Sequence, residues 1–225
     1  MPAASPFRDY IALTRLDRPV GIWLLLWPTL WGLWWAAGGW PPWPVLLVFV
    51  LGTVLMRSAG CAINDVADRK VDPHVRRTAD RPIAAGRLRP GQGVMVAVVL
   101  TLLALLLLLS LRSLPALLWS VPAAMLAGVY PLMKRYIDLP QAVLGLAFSW
   151  GIPMAWAAQG GDVPMWPVLP LMLANVCWVV AYDTYYAMAD REDDERVGVR
   201  SSARLFGRHA RGVVLLLNLV TVAIL

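Results

Sequence analysis

Apolar runs long enough to cross a membrane recur along the whole chain, and no other feature limits its fold as much. A helix needs about 20 apolar residues to cross the hydrocarbon core of a bilayer. Such runs lie near 20–38, 43–63, 92–110, 114–132, 140–159 and 166–188. A seventh starts near Val213 and reaches Leu225 after thirteen residues, too few for a crossing. Inside lipid, backbone polar groups must be satisfied within each segment, which favours helices. The expected fold class is all-α, a polytopic transmembrane helix bundle. We expect one integral-membrane domain over residues 1–225, cut short at its C-terminus.

Composition supports this reading. Of 225 residues, 59% are hydrophobic and 15% charged, with mean hydropathy +0.62. A soluble domain carries about 25% charged residues. An ordinary soluble enzyme, a disordered chain and a coiled coil are thereby excluded. Gly38-Gly39 with Pro41-Pro42, Pro115, Pro140, and Gly160-Gly161 with Pro164 punctuate the runs as turn signals. Pro28, Pro122, Pro131 and Pro153 fall within or near span ends, where membrane helices tolerate kinks. The Trp residues read as interfacial belt and packing. Residues 1–19 are polar and mixed in charge, so they do not form a cleavable signal. Cys61 and Cys177 both lie in apolar stretches and read as buried free thiols.

Net charge is +6, yet the basic residues sit in loops between apolar runs. They therefore report topology, not a nucleic-acid partner. Nineteen of the twenty Lys and Arg fall on one side: the N-terminal arm and the loops after spans 2, 4 and 6. Arg112 alone lies opposite. The positive-inside rule puts the N-terminus and those loops in the cytoplasm.

Nine of the fourteen acidic residues lie in two short stretches. One runs from Asn64 to Asp72 and the other from Asp183 to Glu195, and each closes an apolar span on the cytoplasmic side. On one continuous helix, Asn64, Asp65, Asp68 and Asp72 share an arc of roughly 100°. Asp183, Tyr186, Asp190, Asp193 and Asp194 share a similar arc, and Pro73 is expected to end the first helix with Asp72 at its rim. Carboxylates on one face repel one another and need positive charge among them. Mg²⁺ takes oxygen ligands, commonly a few carboxylates together with phosphate oxygens. Two carboxylate-rich helix ends facing each other therefore suggest Mg²⁺ on a diphosphate. Solvated charges marking helix exits are the plainer alternative.

Arg57 lies seven residues before Asn64, within an apolar helix. It is a candidate for binding a diphosphate or an acidic substrate. Tyr130 and Lys134 are spaced i, i+4, and Arg135 follows. Lys134 can neutralise a leaving diphosphate, and Arg135 can clamp a carboxylate. Arg76, Arg77, Arg81, Arg87 and Arg89 read first as topology signals, some of them able to order a cytoplasmic cap. His74 and His209 are assigned no catalytic role. Asn175 reads as an interhelical hydrogen bonder.

These residues resemble the intramembrane aromatic prenyltransferase superfamily. Its NDxxDxxxD motif matches Asn64, Asp65, Asp68 and Asp72. Its second acidic motif matches Asp183, Tyr186, Asp190 and Asp194, and a YxxxK element matches Tyr130 and Lys134. The segments LLLWPTLWGLW (24–34), RSAGCAINDVADRKVD (57–72), YPLMKRYIDLPQAVLG (130–145) and YDTYYAMADREDD (182–194) resemble the bacterial 4-hydroxybenzoate branch. The likeness runs from about Leu16 to Gly207.

The resemblance implies nine transmembrane helices around a cavity, of which this chain supplies six and part of a seventh. It implies Mg²⁺-dependent transfer of a polyprenyl group from its diphosphate to the ring carbon ortho to the hydroxyl of 4-hydroxybenzoate, in ubiquinone biosynthesis. It implies an enzyme of the bacterial inner membrane, with the lipid bilayer as surroundings and the active site facing the cytoplasm. Asn64, Asp68, Asp72, Asp190 and Asp194 are the implied metal ligands. Asp65, Asp183 and Lys134 are the implied catalytic residues, and Arg57, Tyr130, Arg135 and Tyr186 the implied substrate-binding ones. Other acceptors of the superfamily (homogentisate, a naphthoate, haem, a chlorophyllide) stay open. So does an ion-coupled transporter, although a transporter usually places its acids near the bilayer midplane.

Overall fold

The computed structural model describes residues 6–133, 136–191, 196 and 201–225, and all regular structure among them is helical. The helices are α1 (Pro6–Thr14), α2 (Val20–Ala37), α3 (Trp43–Ala67), α4 (Pro90–Ser110) and α5 (Leu114–Met133). Then follow α6 (Pro140–Ser149), α7 (Gly151–Gln159), α8 (Met165–Ala189), α9 (Ser202–Phe206) and α10 (Ala210–Ile224). Proline opens α4 and α6, where a missing N–H costs nothing. Gly38 ends α2 in the left-handed region at φ +60°, and its N–H returns to the Trp34 and Trp35 carbonyls.

Six helical stretches are long and apolar enough to cross a membrane: α2, α3, α4, α5, α8 and the stretch Ser202–Ile224. Two regions differ from the sequence reading. The run 140–159 is not one helix but two, α6 and α7, meeting at Trp150. Pro153 has no N–H to offer the Ser149 carbonyl, so the ladder fails there. A buried polar knot seals the break. Ser149 Oγ donates to Gly145 O (2.7 Å) and lies 3.2 Å from Met172 O, and Asn175 Nδ2 donates to it at 2.9 Å. Asn175 thus bonds between helices as expected.

The last crossing starts at Ser202, well before Val213. α9, a 3₁₀ turn at Gly207–His209 and α10 run on as one stretch. Thr221 Oγ1 ties α10 to α8 through the Ala174 carbonyl at 3.2 Å.

Small residues set the helix spacing. A Cβ on Gly32 of α2 would lie 2.8 Å from Ile152 Cα of α7, so only glycine permits that approach. Leu102, Leu103, Leu106 and Leu109 on α4 and Leu215, Leu216 and Leu219 on α10 stay exposed. Such apolar exteriors suit lipid, not water. The chain is an integral membrane protein. Both cysteines are free and buried.

A cavity of about 1000 Å³ runs between α2, α3, α4, α5, α6 and α8. Guanidiniums and carboxylates line one end, and Leu24, Phe49, Leu105 and Leu108 line deeper walls. α1 lies across the polar end. Its Asp9 accepts from Arg87 Nε at 2.8 Å, and its Tyr10 hydroxyl accepts from Gln92 Nε2 at 2.8 Å.

Candidate active site

The end of α3 delivers the first acidic group. Asn64 and Asp65 occupy its last turn and Asp68 is its C-cap. Asn64 Nδ2 donates to Asp68 Oδ2 at 3.1 Å, and Asn64 Oδ1 is buried with no hydrogen-bond partner. Asp68 is itself buried.

Asp72 departs from the expected helical face. α3 stops at Ala67, and Asp72 begins a 3₁₀ turn ending at His74. Pro73 cannot supply an N–H to continue the α-helix. Arg81 Nη1 bonds Asp72 Oδ2 at 2.9 Å, and Thr78 Oγ1 donates to the Asp72 carbonyl at 3.0 Å. Burial pushes the Asp72 carboxyl above its ordinary range, and the Arg81 charge pulls it back.

Asp65 is 1% exposed. Arg15 Nη2 lies 2.8 Å from its Oδ1, and Arg81 Nη1 lies 3.2 Å from the same oxygen. Asp65 therefore anchors two guanidiniums, one following α1 and one in the loop after α3. Asp65 also lines the cavity, with its carboxylate held by these two pairs.

The second acidic group comes from α8. Asp183, Tyr182 and Tyr186 line the cavity, and Asp190 caps the helix. Arg77 grips Asp190 through Nε and Nη2, with Nε 3.0 Å from Oδ1 and 2.9 Å from Oδ2 and Nη2 donating to Oδ2. The Arg77 guanidinium also sits 6.0 Å from the Tyr186 ring centroid. Bonding to Asp190 pushes Arg77 further above its ordinary range, with Asp183 and Asp72 adding to the shift. Arg77 thus joins the loop after α3 to the end of α8, between the two acidic groups.

Arg57 and Tyr130 line the same cavity. Arg57 Nη1 donates to Cys61 Sγ at 2.8 Å, and its guanidinium lies 5.9 Å from the Phe148 ring. Lys134, Arg135, Asp193 and Asp194 lie outside the described residues.

Residues 25–225 match the model of the UbiA prenyltransferase family. The chain belongs to that family. It is 55% identical over 225 residues to a 4-hydroxybenzoate octaprenyltransferase of Nitrosomonas eutropha, covering 100% of this chain and 78% of that protein. It is 54% identical over 216 residues to one of Aeromonas salmonicida, covering 96% and 74%. Solved structures share the fold. An apo UbiA homologue from Aeropyrum pernix K1 superposes with a TM-score of 0.76 at 23% identity, over 98% of this chain and 78% of that one. A UbiA homologue from Archaeoglobus fulgidus bound to DMAPP and Mg²⁺ gives 0.77 at 18%, over 96% and 76%.

The chain is therefore a prenyltransferase, and its acidic groups can be tested for fit to a divalent ion. Their donors are oxygens of hard character, and the unpartnered Asn64 Oδ1 is a free ligand atom. Among the described residues, no three His, Cys, Asp or Glu side chains converge closely enough to hold one ion. Like charges stay apart unless a cation stands between them, and here Arg77 stands there. In kind, then, Asn64, Asp68, Asp72 and Asp190 fit Mg²⁺, with Asp72 engaged by Arg81 and Asp190 by Arg77.

Sequence reasoning missed Arg15 altogether and left Arg77 and Arg81 among the topology signals. The usable signal was the acids themselves. A carboxylate at a buried helix end needs a cation partner, and the nearest loop supplies it. Tyr182 was also missed, because an aromatic residue before an Asp looks like packing.

Proposed function

We propose that this prenyltransferase moves a polyprenyl group from polyprenyl diphosphate to 4-hydroxybenzoate, at the ring carbon ortho to the hydroxyl, in the bacterial inner membrane. The observation that carries the reading is a large, mostly apolar cavity whose polar rim joins two carboxylate-bearing helix ends across Arg77. The names of the relatives favour 4-hydroxybenzoate as acceptor. The basic loops favour a rim facing the cytoplasm.

Asn64, Asp68, Asp72, Asp190 and Asp194 would hold Mg²⁺, which supplies charge neutralisation to a leaving diphosphate. Arg77 adds fixed positive charge on this rim, and Lys134 would offset the charge of the leaving diphosphate. The apolar cavity holds the prenyl tail and excludes water from the reacting carbon. The C1–O bond of the donor breaks and its electron pair leaves with the diphosphate. The ortho ring carbon forms the new C–C bond to C1. Asp183 takes the proton that this ring carbon loses, and aromaticity returns. Asp183 is preferred over Asp65 because Asp65 is already paired with Arg15 and Arg81. Tyr130 and Tyr186 flank the diphosphate, and Arg57 or Arg135 holds the acceptor carboxylate.

The test is prenyl transfer in membranes with labelled 4-hydroxybenzoate, a polyprenyl diphosphate and Mg²⁺. Asp68→Ala and Asp190→Ala are each expected to cut turnover by at least about 100-fold. Full turnover in either variant, or turnover insensitive to chelation, would sink the assignment. Diphosphate binding with no transfer to 4-hydroxybenzoate would point to another acceptor of the superfamily.

A further inference from the structure

Below the acidic rim, the cavity wall carries a second polar tier. Arg57 precedes Asn64 by seven residues on α3, and Tyr182 precedes Asp190 by eight on α8. Both helices end at the polar side, so at about 1.5 Å rise per residue each lies roughly 10–12 Å deeper than its rim partner. Both line the same cavity. Tyr182 Oη and Arg57 Nε are buried and have no hydrogen-bond partner.

Unpartnered buried donors are costly and uncommon. Two on facing walls of one cavity point to a ligand that completes them. Both side chains are held in place. The Tyr182 ring stands edge-on to Trp178 at 5.6 Å and 82°, and Trp178 leans on Trp31 at 6.0 Å. Arg57 is fixed by Cys61 and Phe148. A Cβ on Gly21 would lie 2.6 Å from its Nε, so glycine there makes room for it. Tyr182 lies within electrostatic reach of Arg57, Asp183, Tyr130 and Tyr186. A guanidinium and an O–H donor together in an apolar wall recognise an anion, not a hydrocarbon chain.

We propose that Tyr182 is an acceptor-binding residue, its hydroxyl donating to the same carboxylate that Arg57 pairs with. This rests on the acceptor reading above and chooses Arg57 over Arg135. The depth separates the two anions of the reaction. The diphosphate stays at the rim with Asn64, Asp68 and Asp190, and the carboxylate enters the tier beneath. Asp183, next to Tyr182 on α8, borders the same cavity. The ring lies at the level where C1 hangs from its diphosphate.

Steady-state transfer in membranes, varying each substrate in turn, tests this on the chain and its Tyr182→Phe variant. The variant is expected to raise KM for 4-hydroxybenzoate about tenfold and to change KM for the diphosphate less than about twofold. The unaltered donor constant also shows that the variant is folded. Saturation-transfer NMR of 4-hydroxybenzoate without Mg²⁺ is expected to show the same loss of affinity. A probe that needs no variant is 4-hydroxybenzamide, which keeps the hydroxyl and lacks the charge. The unaltered chain is expected to disfavour it about 100-fold, and Arg57→Gln to narrow that gap to a few-fold. A rise in the diphosphate KM instead, or equal use of benzoate and benzamide, overturns the acceptor assignment of this tier while prenyl transfer stands. An unaltered chain that binds the diphosphate and never prenylates 4-hydroxybenzoate overturns the proposed acceptor, and this inference with it.

Discussion

The two acidic groups look alike in sequence and are held very differently. The first is built in. Asp65 is 1% exposed and Asp72 4%, and Arg15 and Arg81 reach them from two other segments of the chain. Of this group, Asn64 and Asp65 line the cavity, and Asn64 holds Asp68 beside it. The second group caps a helix, and its Asp190 is gripped by Arg77, a residue half exposed to solvent. The first motif has two of its three carboxylates, Asp65 and Asp72, paired with guanidiniums, and the second is clamped at Asp190 by Arg77. The buried pairs make a fixed floor, and the half-exposed Arg77 pair a more weakly held wall.

That contrast makes the largest expected effect structural. Arg81→Ala removes the ion pairs that Arg81 makes with Asp72 and Asp65. Removing one partner of a buried ion pair costs roughly 3–5 kcal/mol. We expect little folded protein in membranes, read as a collapse of detergent-resistant monomer and of the thermal transition. Arg15→Ala is the milder version, since Arg81 still faces Asp65. The expected cost is about 1–3 kcal/mol, with a lowered Tm and a protein that still assembles. Equal effects of the two substitutions would mean that the first motif has no hub at Arg81.

How far this was legible follows from where the information sits. Long apolar runs announce α2, α3, α4, α5 and α8, because lipid leaves few alternatives. The break at Trp150 was not legible, since Pro153 alone does not say whether a membrane helix kinks or splits. The Ser149 and Asn175 hydroxyl–amide pair that stabilises the split joins residues 26 apart. The last crossing was misplaced because Arg204, Arg208 and Arg211 depress its hydropathy. At the site, acids at the ends of apolar runs could be found because charge there needs a reason. Basic loop residues could not be sorted, because topology and ion pairing predict the same composition. Only the fold shows that Arg77 meets Asp190 113 residues away.

The smallest expected effect is the most discriminating, because it asks what Arg77 contributes beyond stability. Its pair with Asp190 is bidentate yet half exposed on the Arg77 side. Exposed pairs contribute about 0.2–1 kcal/mol, and salt weakens them further. A double-mutant cycle with Arg77→Gln and Asp190→Asn should therefore return a stability coupling below about 1 kcal/mol, shrinking as ionic strength rises. Transfer should behave otherwise. Arg77→Gln is expected to raise KM for the diphosphate several-fold while Tm moves by only a few degrees, since its guanidinium stands between the two acidic groups. A large, salt-insensitive coupling would make the Arg77 clamp part of the fixed floor. The two motifs would then be one structural unit, and Arg77 would have no separate part in holding the headgroup.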